Sequence, residues 1–273
     1  MSIQSPVCRL EALERADISS RPLPGTTFLE NHMATAILVD GGFFLRRFEH
    51  SFPDHDKNDA RSVAHGLGML AYWHLTQRIG ASRVMEQVGR GDLLAESREF
   101  YRIFFYDCAP LTKRMHTPLG RKSVDFAKTD EAIFRVALHR EVKKLRKVAL
   151  RLGRLNDTAR WKLSVEATTR LISDASNFVA TDSDFKIDTI QKGVDMRLGL
   201  DVASLAFKKQ VDQIIIVAAD ADFVPAAKLA RREGIDVILD CMGANNAAID
   251  LVEHVDGIRN CFLPEPQDRE RGT

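Results

Sequence analysis

The sequence contains no run approaching the roughly 18 consecutive apolar residues of a membrane-spanning helix, so a span is not expected. Its N-terminus lacks the charged-then-apolar layout of a signal peptide. The four cysteines (Cys8, Cys108, Cys241 and Cys261) are far apart and form no CxxC pair. This excludes a zinc-ribbon or dense disulfide framework and suits reduced thiols in a cytoplasmic protein. GxGxxG and GxxxxGK[ST] are both absent, so nothing supports a dinucleotide site and a P-loop is excluded. No internal repeat or low-complexity tract is visible. Net charge is nearly absent too, at +1 over 273 residues.

That small total hides an uneven distribution. Between Arg135 and Lys162 there are ten Lys/Arg against Glu141 and Asp157, a local charge of about +8 in a chain otherwise acidic. Residues 1–32 have weak periodicity, with "RPLPG" at 21–25, and read as a loosely ordered extension. Met33, a position that a downstream start could use, directly precedes the first convincing strand.

From there, strand and helix signals alternate. "TAILVD" (35–40), "YRIFFYD" (101–107), "QIIIVAAD" (213–220) and "IDVILD" (235–240) are short apolar runs suited to strands buried on both faces. Helical periodicity marks 59–80 with a stop at Gly80, then 129–152, 194–210 and 224–234. Residues 246–256 read as a further helix, and "IRNCFL" as a last short strand. In the 129–152 segment, Thr129 is the expected cap, and Phe134, Leu138, Val142, Leu145, Val148 and Leu152 form one apolar stripe. The alternation predicts an α/β fold with a central, mainly parallel sheet flanked by helices. In such sheets the functional crevice lies outside the carboxyl ends of the strands.

Acids stand at those ends: Asp40 after "AILV", Asp107 after "IFFY", Asp220 after "IIIVAA", and Asp240 after "DVIL". Carboxylates gathered at one edge cannot all remain ionised without a cation. Mg²⁺ or Mn²⁺ is the usual answer for an all-oxygen site. Asp222 follows two residues after Asp220, where capping the next helix is an alternative role. Gly41 and Gly42 permit a sharp exit from the first strand and close backbone approach to a phosphate or a metal-bound water. "QKGVDMRLGLD" adds Lys192, Asp195 and Asp201. The two acids are about 120° apart on a regular helix, so both would not face one ion. Arg135, His139, Lys143, Arg146, Lys147 and Arg151 lie off the apolar stripe of the 129–152 segment. They form a basic ribbon suited to an RNA backbone.

Taken together, "ILVDGGFFLRR", "QKGVDMRLGLDVASLA" and "IIIVAADADFVPAAKLARREGIDVIL" resemble the NYN domain family, the PIN-like group that includes the LabA/DUF88 proteins. The resemblance runs from about Thr35 to Leu263. It implies a PIN-like three-layer α/β fold over 33–265, with a basic embellishment around 111–165 and a tail at 266–273. It also implies an Mg²⁺- or Mn²⁺-dependent ribonuclease with Asp40, Asp195, Asp201, Asp220 and Asp222 as its catalytic acids. Among these, Asp40, Asp195 and Asp220 would be the metal ligands, with Lys192 before the helix to balance the acids or hold an RNA phosphate. One departure is Ala218-Ala219, where the family usually has Ser-Gly. The alternative is an RNA-binding module without turnover. RNA is the expected partner; a homodimer is compatible with the sequence.

Overall fold

A computed structural model of the chain describes residues 34–79, 99–155, 159–189, 191–245 and 247–260, all within the unit Met33–Thr273. The N-terminal extension, the stop at Gly80 and the C-terminal tail lie outside these residues. The central sheet has the order β11-β10-β9-β1-β2-β5-β8. Its strands are β1 (Thr35–Asp40), β2 (Phe100–Cys108), β5 (Val148–Leu155), β8 (Gln191–Lys192), β9 (Gln213–Val217), β10 (Asp236–Asp240) and β11 (Gly257–Ile258). All pairings are parallel except that of β8 with β5.

The four apolar runs become strands because both of their faces find cover. Along β1, Ile37 and Val39 pack under α1 (Gly41–Ser51) and α2 (Ala60–Ile79), whereas Ala36 and Leu38 face the opposite layer. That layer is formed by α5 (Val194–Phe207) and α6 (Val224–Arg232). In β9, Ile214 and Ile216 face one layer, Ile215 and Val217 the other, and all four are inaccessible to solvent. Period-two alternation thus feeds two cores, and burying each Ile contributes roughly 1.5–3 kcal/mol. The result is the expected three-layer α/β fold.

The 129–152 segment does not form one long helix. Helix α3 (Asp130–Val142), capped by the Thr129 hydroxyl, ends before a turn in which Lys147 is left-handed at φ 58°. Val148–Leu155 then pairs along β2, from Ile103↔Val148 to Cys108↔Gly153. The stripe residues Val148 and Leu152 are also in step with a strand, and the ladder of hydrogen bonds to β2 outweighs the helical spacing. The expected basic ribbon is therefore broken across a helix, a turn and a strand. The final segment is shorter than expected as well: α7 spans Ile249–Val252, and Gly257–Ile258 forms the edge strand.

Between β2 and β8 the chain adds two small antiparallel pairs. These are β3 (Arg114–His116) with β4 (Ser123–Asp125), and β6 (Arg160–Leu163) with β7 (Phe185–Asp188). Helix α4 (Val165–Ser173) links the second pair. The Trp161 Nε1–H donates to the His116 carbonyl at 2.8 Å, and the Leu119 and Gly120 amides donate to Asp182, tying the two pairs together.

Candidate active site

β1 and β9 are neighbours in parallel register, so the chain leaves both at the same edge. Asp40 is the last residue of β1 and caps α1: its Oδ1 accepts from the Gly42 and Phe43 amides at 2.9 and 3.2 Å. A Cβ on Gly41 would lie 2.5 Å from the Tyr106 carbonyl oxygen. Glycine is required there by the packing of the turn against β2, not by the approach of a ligand. Asp220 follows β9 and caps a 3₁₀ turn at Ala221–Phe223, its Oδ1 accepting from the Asp222 amide at 3.3 Å. Asp195 enters from the other side, in the first turn of α5, after Gly193 reverses the chain in the left-handed region at φ 80°.

Asp40, Asp195, Asp220 and Asp222 line one cavity of about 490 Å³, with Gly42, Arg46 and Arg135 at its walls. Burial holds the Asp40 carboxyl above its usual range. The Phe43 and Gly42 amides and Arg46 pull it down, and Asp195 pushes it up further. Asp195 is also raised, first by the protein that displaces part of its water and then by the charges of Asp222 and Asp220. Among the described residues, Asp195, Asp220 and Asp222 have no salt-bridge partner. They are exposed, electrostatically crowded acids facing one space.

The remaining predicted residues go elsewhere. Val194–Phe207 is a regular helix containing both Asp195 and Asp201, so its rotation separates them. Asp201 accepts from the Tyr106 hydroxyl at 2.9 Å and from Arg151 Nε at 2.9 Å, away from the cavity. Arg151, placed on the RNA-facing ribbon from sequence, is held in that pair and lies over the Phe104 ring. Arg135 is mostly buried and pairs with Asp107. Lys147 donates to the Phe100 carbonyl at 2.6 Å. Lys143 and Arg146 remain exposed. Lys192 lies in β8, with its side chain outside the described residues.

Two other strand-end acids are internally satisfied. Asp107 meets Arg135 and, at 2.8 Å, His139 Nε2. Asp240 meets His74 Nε2 at 2.9 Å and accepts from the Met242 amide at 2.7 Å. Ala218 is fully buried in the core on the α5–α6 side, so a hydroxyl there would enter apolar packing and not the cavity. Sequence reading overlooked Arg46, an exposed guanidinium at the rim. Its signal was present: Arg46 lies four residues after Gly42, one turn along the helix that Asp40 caps.

The donor set suits a hard divalent cation, since only carboxylate oxygens converge. Among the described residues, however, no three His, Cys, Asp or Glu side chains are gathered into a ready cage. Mg²⁺ is ordinarily held by one or two carboxylates, with water and substrate phosphate completing its shell, so an open arrangement fits that ion.

The NYN domain family model matches residues 160–259. That span contains Asp195, Asp220 and Asp222, whereas Asp40, at the end of β1, lies outside it. The match covers 100 of the 273 residues and does not distinguish a LabA/DUF88 subgroup. No curated protein matches the chain. A solved structure of a protein of unknown function from Vibrio parahaemolyticus aligns with 14% identity and a TM-score of 0.41, over 86% of this chain and 99% of that one.

Proposed function

We propose, from the nuclease-like NYN domain carried over residues 160–259, that the protein is a metal-dependent ribonuclease hydrolysing RNA phosphodiester bonds at the acid cleft. The supporting observation is the convergence of Asp40, Asp195, Asp220 and Asp222 on one cavity, three of them without a cationic partner among the described residues. Asp40, Asp195 and Asp220 would hold Mg²⁺ or Mn²⁺. When bound, such an ion neutralises charge at phosphorus and makes water a competent nucleophile near neutral pH. Asp40 is preoriented by two backbone amides. Asp222 adds negative charge beside Asp195. Arg46, on the rim, is placed to hold a non-bridging phosphate oxygen. Attack by water would leave 5′-phosphate and 3′-hydroxyl ends.

Incubating the protein with a mixed RNA pool and Mg²⁺ or Mn²⁺ tests this reading. Cleavage should require the cation and be lost in Asp220→Asn. Cleavage that persists in EDTA, or is unchanged in Asp220→Asn, would sink the idea. The exposed Lys143 and Arg146 also suit a second reading, an RNA-binding module without turnover. Salt-sensitive RNA binding with no cleavage in either metal would select it.

A further inference from the structure

A second cavity adjoins the acid cleft, and the two share the wall formed by Arg135. It measures about 280 Å³ and lies where the β3–β4 and β6–β7 additions meet the end of β2. Its apolar walls are Leu111, Phe126, Leu155 and Ile187, with Thr129 and the exposed Glu131 among its polar lining residues. Phe126 is partly exposed and packs beside Trp161, with ring centroids 6.1 Å apart and planes tilted by 51°. Arg135 is itself fixed by Asp107, making the partition between the cavities a built wall and not a free side chain.

From this juxtaposition we infer that the 280 Å³ cavity is a nucleobase subsite. It receives the unpaired base next to the phosphate held at the acid cleft. The inference rests on the cleft being where an RNA phosphate binds. The chemistry matches: the flat faces of a base stack on an aromatic ring, apolar side chains enclose it, and a guanidinium borders the phosphate side. The volume is at the small end for ligand sites, suiting one heterocycle and not a duplex. Single-stranded segments are thus the substrate class, and residues of the β3–β4 and β6–β7 additions become specificity determinants.

The test uses Asp220→Asn protein, to prevent turnover, and two 5′-fluorescein oligoribonucleotides of equal length, one uridine-rich and one abasic. Fluorescence anisotropy should show the base-bearing oligomer binding about five- to hundredfold more tightly. Phe126→Ala should remove that preference. So should Thr189→Trp, which fills the cavity from an exposed position and spares the core if Phe126→Ala misfolds. Equal affinity for both oligomers, or a preference that survives in Thr189→Trp, overturns the inference. RNA cleavage by the wild type is scored separately. Base-dependent binding without cleavage removes the hydrolytic reading and leaves the subsite, whereas cleavage with equal affinities does the reverse.

Discussion

The two groups of aspartates differ less in position along the sequence than in what surrounds them. Asp107 and Asp240 are almost completely buried, at 2% and 0% exposed, and each is met by histidine; Asp107 also has Arg135. Asp201, partly buried, has Arg151 and Tyr106. Asp195, Asp220 and Asp222 are open to solvent and stand near one another without such partners among the described residues. The first group is structural because its carboxylate oxygens are satisfied by hydrogen bonds from within the fold. The second keeps its negative charge open to solvent, where the proposed cation would be held. An acid at a strand end is therefore not informative alone; its partner decides its role.

The largest effect should come from breaking a balanced acid. His74→Leu leaves the buried Asp240 carboxylate with only the Met242 amide, and should cost about 3 kcal/mol or more in urea unfolding. Next comes the unbalanced group. Asp195→Asn or Asp220→Asn should lower RNA cleavage by about a hundredfold or more, near 2.7 kcal/mol of barrier, with little change in melting temperature. Asp201→Asn inverts that pattern: cleavage should remain within about threefold, while stability falls by about 1 kcal/mol as the Arg151 pair weakens. If Asp201→Asn instead abolishes cleavage at unchanged stability, the division between the two groups is wrong.

Some of this division was legible in the sequence. Runs such as "AILV" and "IIIV" admit little but a buried strand, and they placed Asp40 and Asp220 at one edge. Helix arithmetic separated Asp195 from Asp201 without saying which would enter the cleft. The strand at Val148–Leu155 was obscured because its apolar residues also continued the stripe of α3. The partners of Asp107 were illegible for a different reason: Arg135 and His139 lie 28 and 32 residues downstream, and only packing of α3 brings them back. Charge clustering proved the weakest guide. Arg135, Lys147 and Arg151 belong to the fold's own interactions, leaving Lys143 and Arg146 as the exposed remnant of the expected ribbon.

The smallest effect probes Asp40, which shares features of both groups: partly buried like the balanced acids, yet facing the cleft. Its carboxyl is held above the usual value, so the folded protein binds a proton there more tightly than the unfolded chain. The sign follows directly. In metal-free protein, the ionised Asp40 costs stability at neutral pH, and that cost disappears as pH falls through the raised folded pKa toward the ordinary value of about 4. Asp40→Asn retains a good helix cap while removing the charge. It should therefore stabilise the metal-free protein at pH 7 by about 0.5–2 kcal/mol, and this advantage should shrink on acidification. Taking the difference between variant and wild type at each pH removes the acid sensitivity shared by the paired carboxylates. Saturating Mg²⁺ should reverse the order, because only the wild type gains the full linkage to a bound ion, about 2.7 kcal/mol at a hundred times Kd. Thermal melts at pH 7 and pH 5, with and without Mg²⁺, read all four values. An Asp40→Asn variant less stable than wild type at pH 7 without Mg²⁺ would instead place Asp40 with the balanced acids.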